Sequence, residues 1–185
     1  MRGEIMRCLM IAAVSGFLFS NEVMISYFDK AGYAENHIYL EDTITKVEKK
    51  DIDAGFMLSL SYPVNDPKSS LCILGGTCIA RWEVPNDETY AYSTYLAARL
   101  APLSMFGISP FIELSLAGPT YLSKALLGEI DFGSSIVYQN YLGIGIKAFS
   151  VVADVKMINY CTSLPTAFTK NSVTLPLILS IGLTF

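Results

Sequence analysis

The closing stretch "VTLPLILSIGLTF", residues 173–185, reads with a period of two. Its odd positions are Val173, Leu175, Leu177, Leu179, Ile181, Leu183 and Phe185. Its even positions are Thr174, Pro176, Ile178, Ser180, Gly182 and Thr184. Successive side chains of a strand point to opposite faces, so this segment predicts a β-strand with one apolar face. Its length suits a tilted strand crossing a bilayer. The same pattern recurs upstream. In "SPFIELSLAG" (109–118) the even face holds Pro110, Ile112, Leu114 and Leu116, opposite Glu113 and Ser115. In "YAYSTYLAARL" (90–100) the even face runs from Tyr90 to Leu100, opposite Arg99. In "SVVADVKMINYCT" (150–162) the odd face begins Val151, Ala153, Val155, Met157, opposite Asp154 and Lys156. "AGFMLSLSY" (54–62) and "SLCILGGTCIARW" (70–82) follow the pattern more weakly, and "PVNDPKSS", "VPNDE" and "APLSMFG" separate the strands as turns.

Composition narrows the architecture. Of the 185 residues, 52% are hydrophobic and only 16% charged. A helical membrane protein would gather this excess into apolar runs of about 20 residues. Here it is spread through short alternating segments. The formal charge of −4 argues against a nucleic-acid partner. A soluble sandwich and a membrane barrel share the period but reverse the faces. The apolar excess, the export signal described below and the terminal Phe185 favour the barrel. Arg81, Arg99, Glu113, Asp154 and Lys156 carry both signs and could pair inside a narrow barrel. The expectation is therefore an all-β fold, an eight-stranded antiparallel transmembrane β-barrel with short periplasmic turns. Its strands are expected near 52–63, 70–83, 90–101, 109–118, 132–139, 140–148, 150–162 and 173–185.

The chain starts with a basic Arg2 and Arg7 and the apolar run "CLMIAAVSGFLF", Cys8–Phe19, which read as a signal peptide over residues 1–20. Cleavage could fall near Ser20 or as late as Ala34. Residues 21–51 read as an N-terminal lead-in, within which the charged 35–50 could instead form an extra strand, and 52–185 as the barrel. Three cysteines remain after the signal, Cys72, Cys78 and Cys161, and an odd number leaves one unpaired. Cys72 and Cys78 are six residues apart, too far to bridge along one strand, and they lack partners for a metal site. "GIG" (143–145) has the wrong context for a phosphate loop. No cofactor or metal is implied. Trp82, Tyr90, Tyr92 and Tyr95 are candidates for an aromatic girdle, with ordinary packing as the alternative.

Several segments carry a family resemblance. "SPFIELSLAGPTYLS", "DFGSSIVYQNYLGIGIK", the strand ending "INYCTS" and the closing strand resemble the PagL-like lipid A 3-O-deacylases over residues 52–185. The resemblance implies an eight-stranded barrel in the Gram-negative outer membrane. It also implies lipid A (lipopolysaccharide) and outer-membrane lipid as partners, and removal of the 3-O-linked acyl chain by a His, a Ser two residues on and a later Glu. This sequence departs at each catalytic position. Asn159 stands in the His place, Cys161 in the Ser place and Leu175 in the Glu place, with Thr162 and Asn171 at supporting, oxyanion-side positions.

A Ser or Cys nucleophile needs a base, and the base needs an orienting partner. Asn159 cannot act as the base, and Leu175 cannot orient one. The chain's one histidine, His37, falls in the lead-in and is therefore expected on the periplasmic side, away from residue 162. The parity of the strands places Asn159, Cys161 and Leu175 together on the lipid-facing side near the outer rim. The resulting expectation is a barrel that contacts lipid A without the usual His/Ser/Glu hydrolysis. The alternatives are an active acyl-ester hydrolase using Cys161 and a structural barrel with no lipid A specificity.

Overall fold

The structure is a computed structural model that describes residues 21–28, 33–40, 43–84, 87–116, 118–127, 130–162 and 171–185. The expected signal peptide over 1–20 lies outside the described residues. The strands are β1 (Glu22–Phe28), β2 (Tyr33–Leu40), β3 (Thr43–Asp51), β4 (Ala54–Pro63), β5 (Leu71–Val84), β6 (Asp87–Leu100) and β7 (Ile108–Leu116). They continue with β8 (Gly118–Leu122), β9 (Leu126–Leu127), β10 (Ile130–Asp131), β11 (Ile136–Ala148), β12 (Val151–Cys161) and β13 (Asn171–Thr184).

Antiparallel pairing runs β1-β4-β5-β6-β7-β11-β12-β13, and β13 pairs back onto β1, from Glu22 opposite Thr184 to Tyr27 opposite Leu179. The sheet therefore closes on itself. Strand β8 prolongs β7 between β6 and β11, so the circuit has the eight strand places expected. One end holds Glu22, Thr184 and the connections at 64–70, 101–107 and 149–150. We call it the near end. At the opposite, far end, β2 and β3 form a hairpin that extends the sheet: β2 pairs β13 from Asn171 to Thr174, beyond the reach of β1.

Two strand assignments change, and they cancel in the count. Residues 21–51 are not a lead-in, because β1 is the barrel strand that closes the sheet and β2 and β3 continue it. The apolar outer face of β1 is only three residues long, Val23, Ile25 and Tyr27, with Glu22 and Ser26 on the inner face and a charged segment following, too short a run to stand out. Conversely, the two strands expected over 132–139 and 140–148 are the single strand β11. The expected boundary falls between Gln139 and Asn140, yet the Gln139 side-chain oxygen accepts from Ser93 Oγ at 2.8 Å inside the barrel, and the alternation runs straight through.

The faces of β6, β7 and β12 are as the alternation predicts. Leu96, Leu100, Ile112, Leu114 and Met157 are exposed, while Arg99, Glu113, Asp154 and Lys156 are buried. An outer belt of this kind, including Leu142, Ile144, Leu179 and Ile181, needs a lipid surface rather than water.

The interior divides along its length. Toward the near end, Arg99 donates to both carboxylate oxygens of Glu22 at 2.7 Å and also to Glu113. The Tyr141 hydroxyl donates to Glu113, and Lys156 lies 3.2 Å from Asp154. Toward the far end the filling is apolar: Phe28, Ile52, Trp82, Ile158, Tyr160, Val173 and Leu175 belong to one buried cluster. The Trp82 indole donates to the Tyr160 hydroxyl at 3.2 Å.

Arg81 is not part of the interior network. Even positions of β5 face inward, so Arg81 lies outside, where it pairs with Glu83 and Glu88. Trp82 and Tyr95 are buried inside and do not belong to an outer girdle, whereas Tyr90 is exposed on the outer face. Cys72 and Cys78 are unbridged interior residues.

Two irregularities decide which way the far-end residues face. Between β7 and β8 the pairing with β6 shifts from Leu96 opposite Leu116 to Ala91 opposite Leu122, which inserts one residue and reverses the parity. Gly118 fits there because a Cβ would sit 1.7 Å from the Thr94 carbonyl oxygen. The second irregularity lies on β13. Its pairing with β12 passes from Lys156 opposite Ile178 to Ile158 opposite Leu175. Met157 alone then faces two residues, Pro176 and Leu177, and the parity of β13 switches across them.

Candidate functional site at the far-end outer face

The switch on β13 separates the three positions expected to form a vestigial triad. Directly opposed residues of neighbouring strands share a face. Leu175 therefore shares the inner face with Ile158, and it is 0% exposed. Asn159 lies opposite Thr174, and Cys161 opposite Ser172. The face opposite buried Ile158 and Tyr160 is the outer one. Asn159 and Cys161 are thus outside as expected, but Leu175 is not. The position across from Asn159 is occupied by Thr174. Thr162 lies just past the last pair of β12, and Asn171 opens β13 opposite Ile38 of β2.

The pairings assemble two rows across four strands on this face. One row runs Tyr138 of β11, Cys161 of β12, Ser172 of β13 and His37 of β2. The next runs Asn140, Asn159, Thr174 and Glu35. His37 is therefore at the same end as Cys161 and in the same row. Reading residues 21–51 as a lead-in puts it at the opposite end; the pairing of β2 with β13 overturns that. Opposed residues in an antiparallel pair have Cα atoms about 4.5–5.5 Å apart, so His37 stands one such step from Ser172 and two from Cys161.

On β12 and β13 these side chains, Asn159, Cys161, Ser172 and Thr174, are uncharged and small, and Cys161, Ser172 and Thr174 are buried despite their outward place. The Cys161 thiol donates to the Tyr138 carbonyl oxygen at 3.7 Å and is not in a disulfide. Asn159 Oδ1 and Ser172 Oγ are buried without a hydrogen-bond partner among the described residues. Among those residues no cluster of His, Cys, Asp and Glu could hold a metal ion. On the far-end periphery, Lys124 bonds Asp87 and holds that carboxyl below its ordinary range.

Neither a family model nor a curated protein matches the chain. Solved structures do. The outer-membrane enzyme PagL superposes with a TM-score of 0.62 at 17% sequence identity, over 86% of this chain and 97% of that one. Neisserial surface protein A superposes with a TM-score of 0.52 at 15% identity, over 89% of this chain and 96% of that one. The chain has the fold of the eight-stranded outer-membrane barrels. At these identities the likeness is one of fold.

The residues that sequence reasoning missed at this site are Ser172, His37 and Glu35. A signal for the last two was present. "YAENHIYL" followed by "TITKVEKK" across a two-residue "ED" reads as a hairpin, and Glu35 and His37 share one parity within it. Ser172 gives no such signal, because its face depends on the switch at Pro176 and Leu177.

Proposed function

We propose that the protein is a barrel of the Gram-negative outer membrane that contacts lipid A at its far-end outer face, without the His/Ser/Glu set of the deacylases it resembles. The far end, with its hairpin and longer connections, faces outward, and the near end lies in the periplasm, as in other barrels of this class. The observation that carries this reading is the polar pair Asn140 and Asn159, half-buried on the outer face, with Cys161, Ser172 and Thr174 covered beside them. It interrupts the outer apolar belt at the level where lipid headgroups meet the barrel, directly above exposed Leu142, Met157 and Leu177. An amphiphile with acyl chains and a polar sugar headgroup matches that sequence of surfaces. Against the family's own triad stand Asn159, Cys161 and Leu175 at its His, Ser and Glu places, with Leu175 on the inner face.

In native mass spectrometry of the protein released from mixed micelles holding lipid A and phosphatidylglycerol at equal mole fraction, lipid A adducts should outnumber phosphatidylglycerol adducts. Replacing Asn140 and Asn159 by leucine should remove that excess. Equal retention of the two lipids by the unmodified protein would sink the lipid A reading and leave a structural barrel.

A further inference from the structure

We infer that the near end of the barrel holds a binding site for a small organic anion, an oxyanion head on an apolar body, whose head is taken by Lys68 and Lys147. The site is independent of the lipid A reading and lies at the other end of the molecule.

A cavity of about 470 Å³ opens at the near end, inside the ring of strands. Strand alternation decides what faces it. Odd positions of β11 point inward, with Val137, Gln139 and Tyr141 buried, so Lys147 enters the cavity from its wall. Ser109 of β7 stands opposite Lys147 and lines the same cavity. Lys68 reaches it from the connection at 64–70. At the floor, Glu22 accepts from Arg99 through both carboxylate oxygens, and Arg99 also donates to Glu113.

The two ammonium groups have no comparable partner. Ion pairs among the described residues engage Arg81, Arg99, Lys124 and Lys156, and Lys68 and Lys147 are in none of them. Asp66, two residues from Lys68, accepts from the Lys68 backbone amide instead. Lys147 is also half-buried. A charge drawn partly out of water without a counter-ion costs free energy. An anion held by both lysines removes that cost.

The remaining lining sets the class of anion. Ser109 Oγ donates to Ser104 Oγ at 2.9 Å, which leaves the Ser104 proton for a further acceptor. An oxyanion head therefore meets two ammonium groups and a hydroxyl donor. Deeper in the cavity, Leu74 and Phe111 supply apolar wall. That wall suits an aliphatic or aromatic body behind the head.

The test titrates the full chain, isotope-labelled and refolded in zwitterionic micelles, with benzyl phosphate and follows the backbone amides by NMR. Saturable shifts are expected at Ser69, Ser109 and Lys147, with far-end amides such as Tyr160 unmoved. Benzylamine has the same body and the opposite charge and should give no saturable shift there. Inorganic phosphate should bind at least about tenfold more weakly, because it leaves the apolar wall unused. Lys147→Met should weaken benzyl phosphate by at least about tenfold, the scale of one charge-assisted hydrogen bond. Lys124→Met, at the far end, should bind as the unmodified protein does. An equal response to benzylamine, no saturable shift at the near end, or unchanged binding in Lys147→Met would overturn the site. Inorganic phosphate binding as tightly as benzyl phosphate would overturn the apolar half of it. The comparison of benzyl phosphate with benzylamine needs no substitution, so it decides the matter even if a variant fails to refold.

Discussion

Leu175→Glu should prevent assembly of the barrel, whereas Thr174→Glu should cost much less. Resemblance to the deacylases makes Leu175 the position at which a carboxylate would complete a triad, so restoring Glu there looks like a route to activity. The switch in β13 reverses that expectation. Leu175 packs in the far-end apolar core that holds Ile158, Tyr160 and Trp82. An uncompensated charge in such a place costs several kcal/mol, an appreciable part of the roughly 5–15 kcal/mol that holds a domain together. Thr174, one residue away, is on the outer face opposite Asn159. The folded fraction after refolding in detergent, read from the heat-dependent shift in gel mobility, distinguishes the two. Equal folding of both variants would place Leu175 outside the core.

Arg99→Met should be the most damaging change toward the near end. Arg99 is the shared partner of two buried carboxylates, Glu22 on β1 and Glu113 on β7. Its guanidinium also lies 4.4 Å from the centre of the Phe111 ring. Methionine replaces the stem but leaves two buried charges facing one another, and breaking a buried pair in this way costs about 3–5 kcal/mol. Because Glu22 belongs to the strand that closes the barrel, the loss acts on closure itself. Adding Glu22→Gln and Glu113→Gln to Arg99→Met should recover most of the stability, since the uncompensated charges are then gone. Arg81→Met is the comparison. That side chain is 49% exposed and makes only surface pairs, worth about 0–1 kcal/mol. Urea unfolding midpoints in micelles measure all three. A loss for Arg99→Met no larger than for Arg81→Met would contradict the interior network.

Period-two alternation was sufficient to read β6, β7 and β12 and to assign Arg99, Glu113, Asp154 and Lys156 to the interior. It worked because each of those strands has a mainly apolar face toward lipid opposite inward charges. It failed wherever the pairing inserts a residue. The shift at Pro176–Leu177 is invisible to a count of odd and even positions, yet it decides that Leu175 is inside and Thr174 outside. It failed again at β1, whose inner Glu22 is explained only by Arg99, a residue 77 positions away in sequence. The site was half legible for the same reason. Asn159 and Cys161 follow from the parity of β12. Ser172 and His37 come together only when β2 is known to continue the sheet beside β13, a non-local pairing that no local pattern encodes.

That pairing of β2 with β13 underlies the placement of His37, and an engineered cross-link tests it most directly. With Cys161→Ala to remove the neighbouring thiol, His37→Cys and Ser172→Cys place two thiols at positions whose Cα separation, about 4.5–5.5 Å, suits a disulfide. Mild oxidation of the folded barrel should join residues 37 and 172, and the shifted pair Asn36→Cys with Ser172→Cys should remain open because residues 36 and 172 fall on opposite faces. Cross-linking of 36 with 172 in place of 37, or none at either pair in protein that has folded, would contradict the register and with it the placement of His37 beside Ser172.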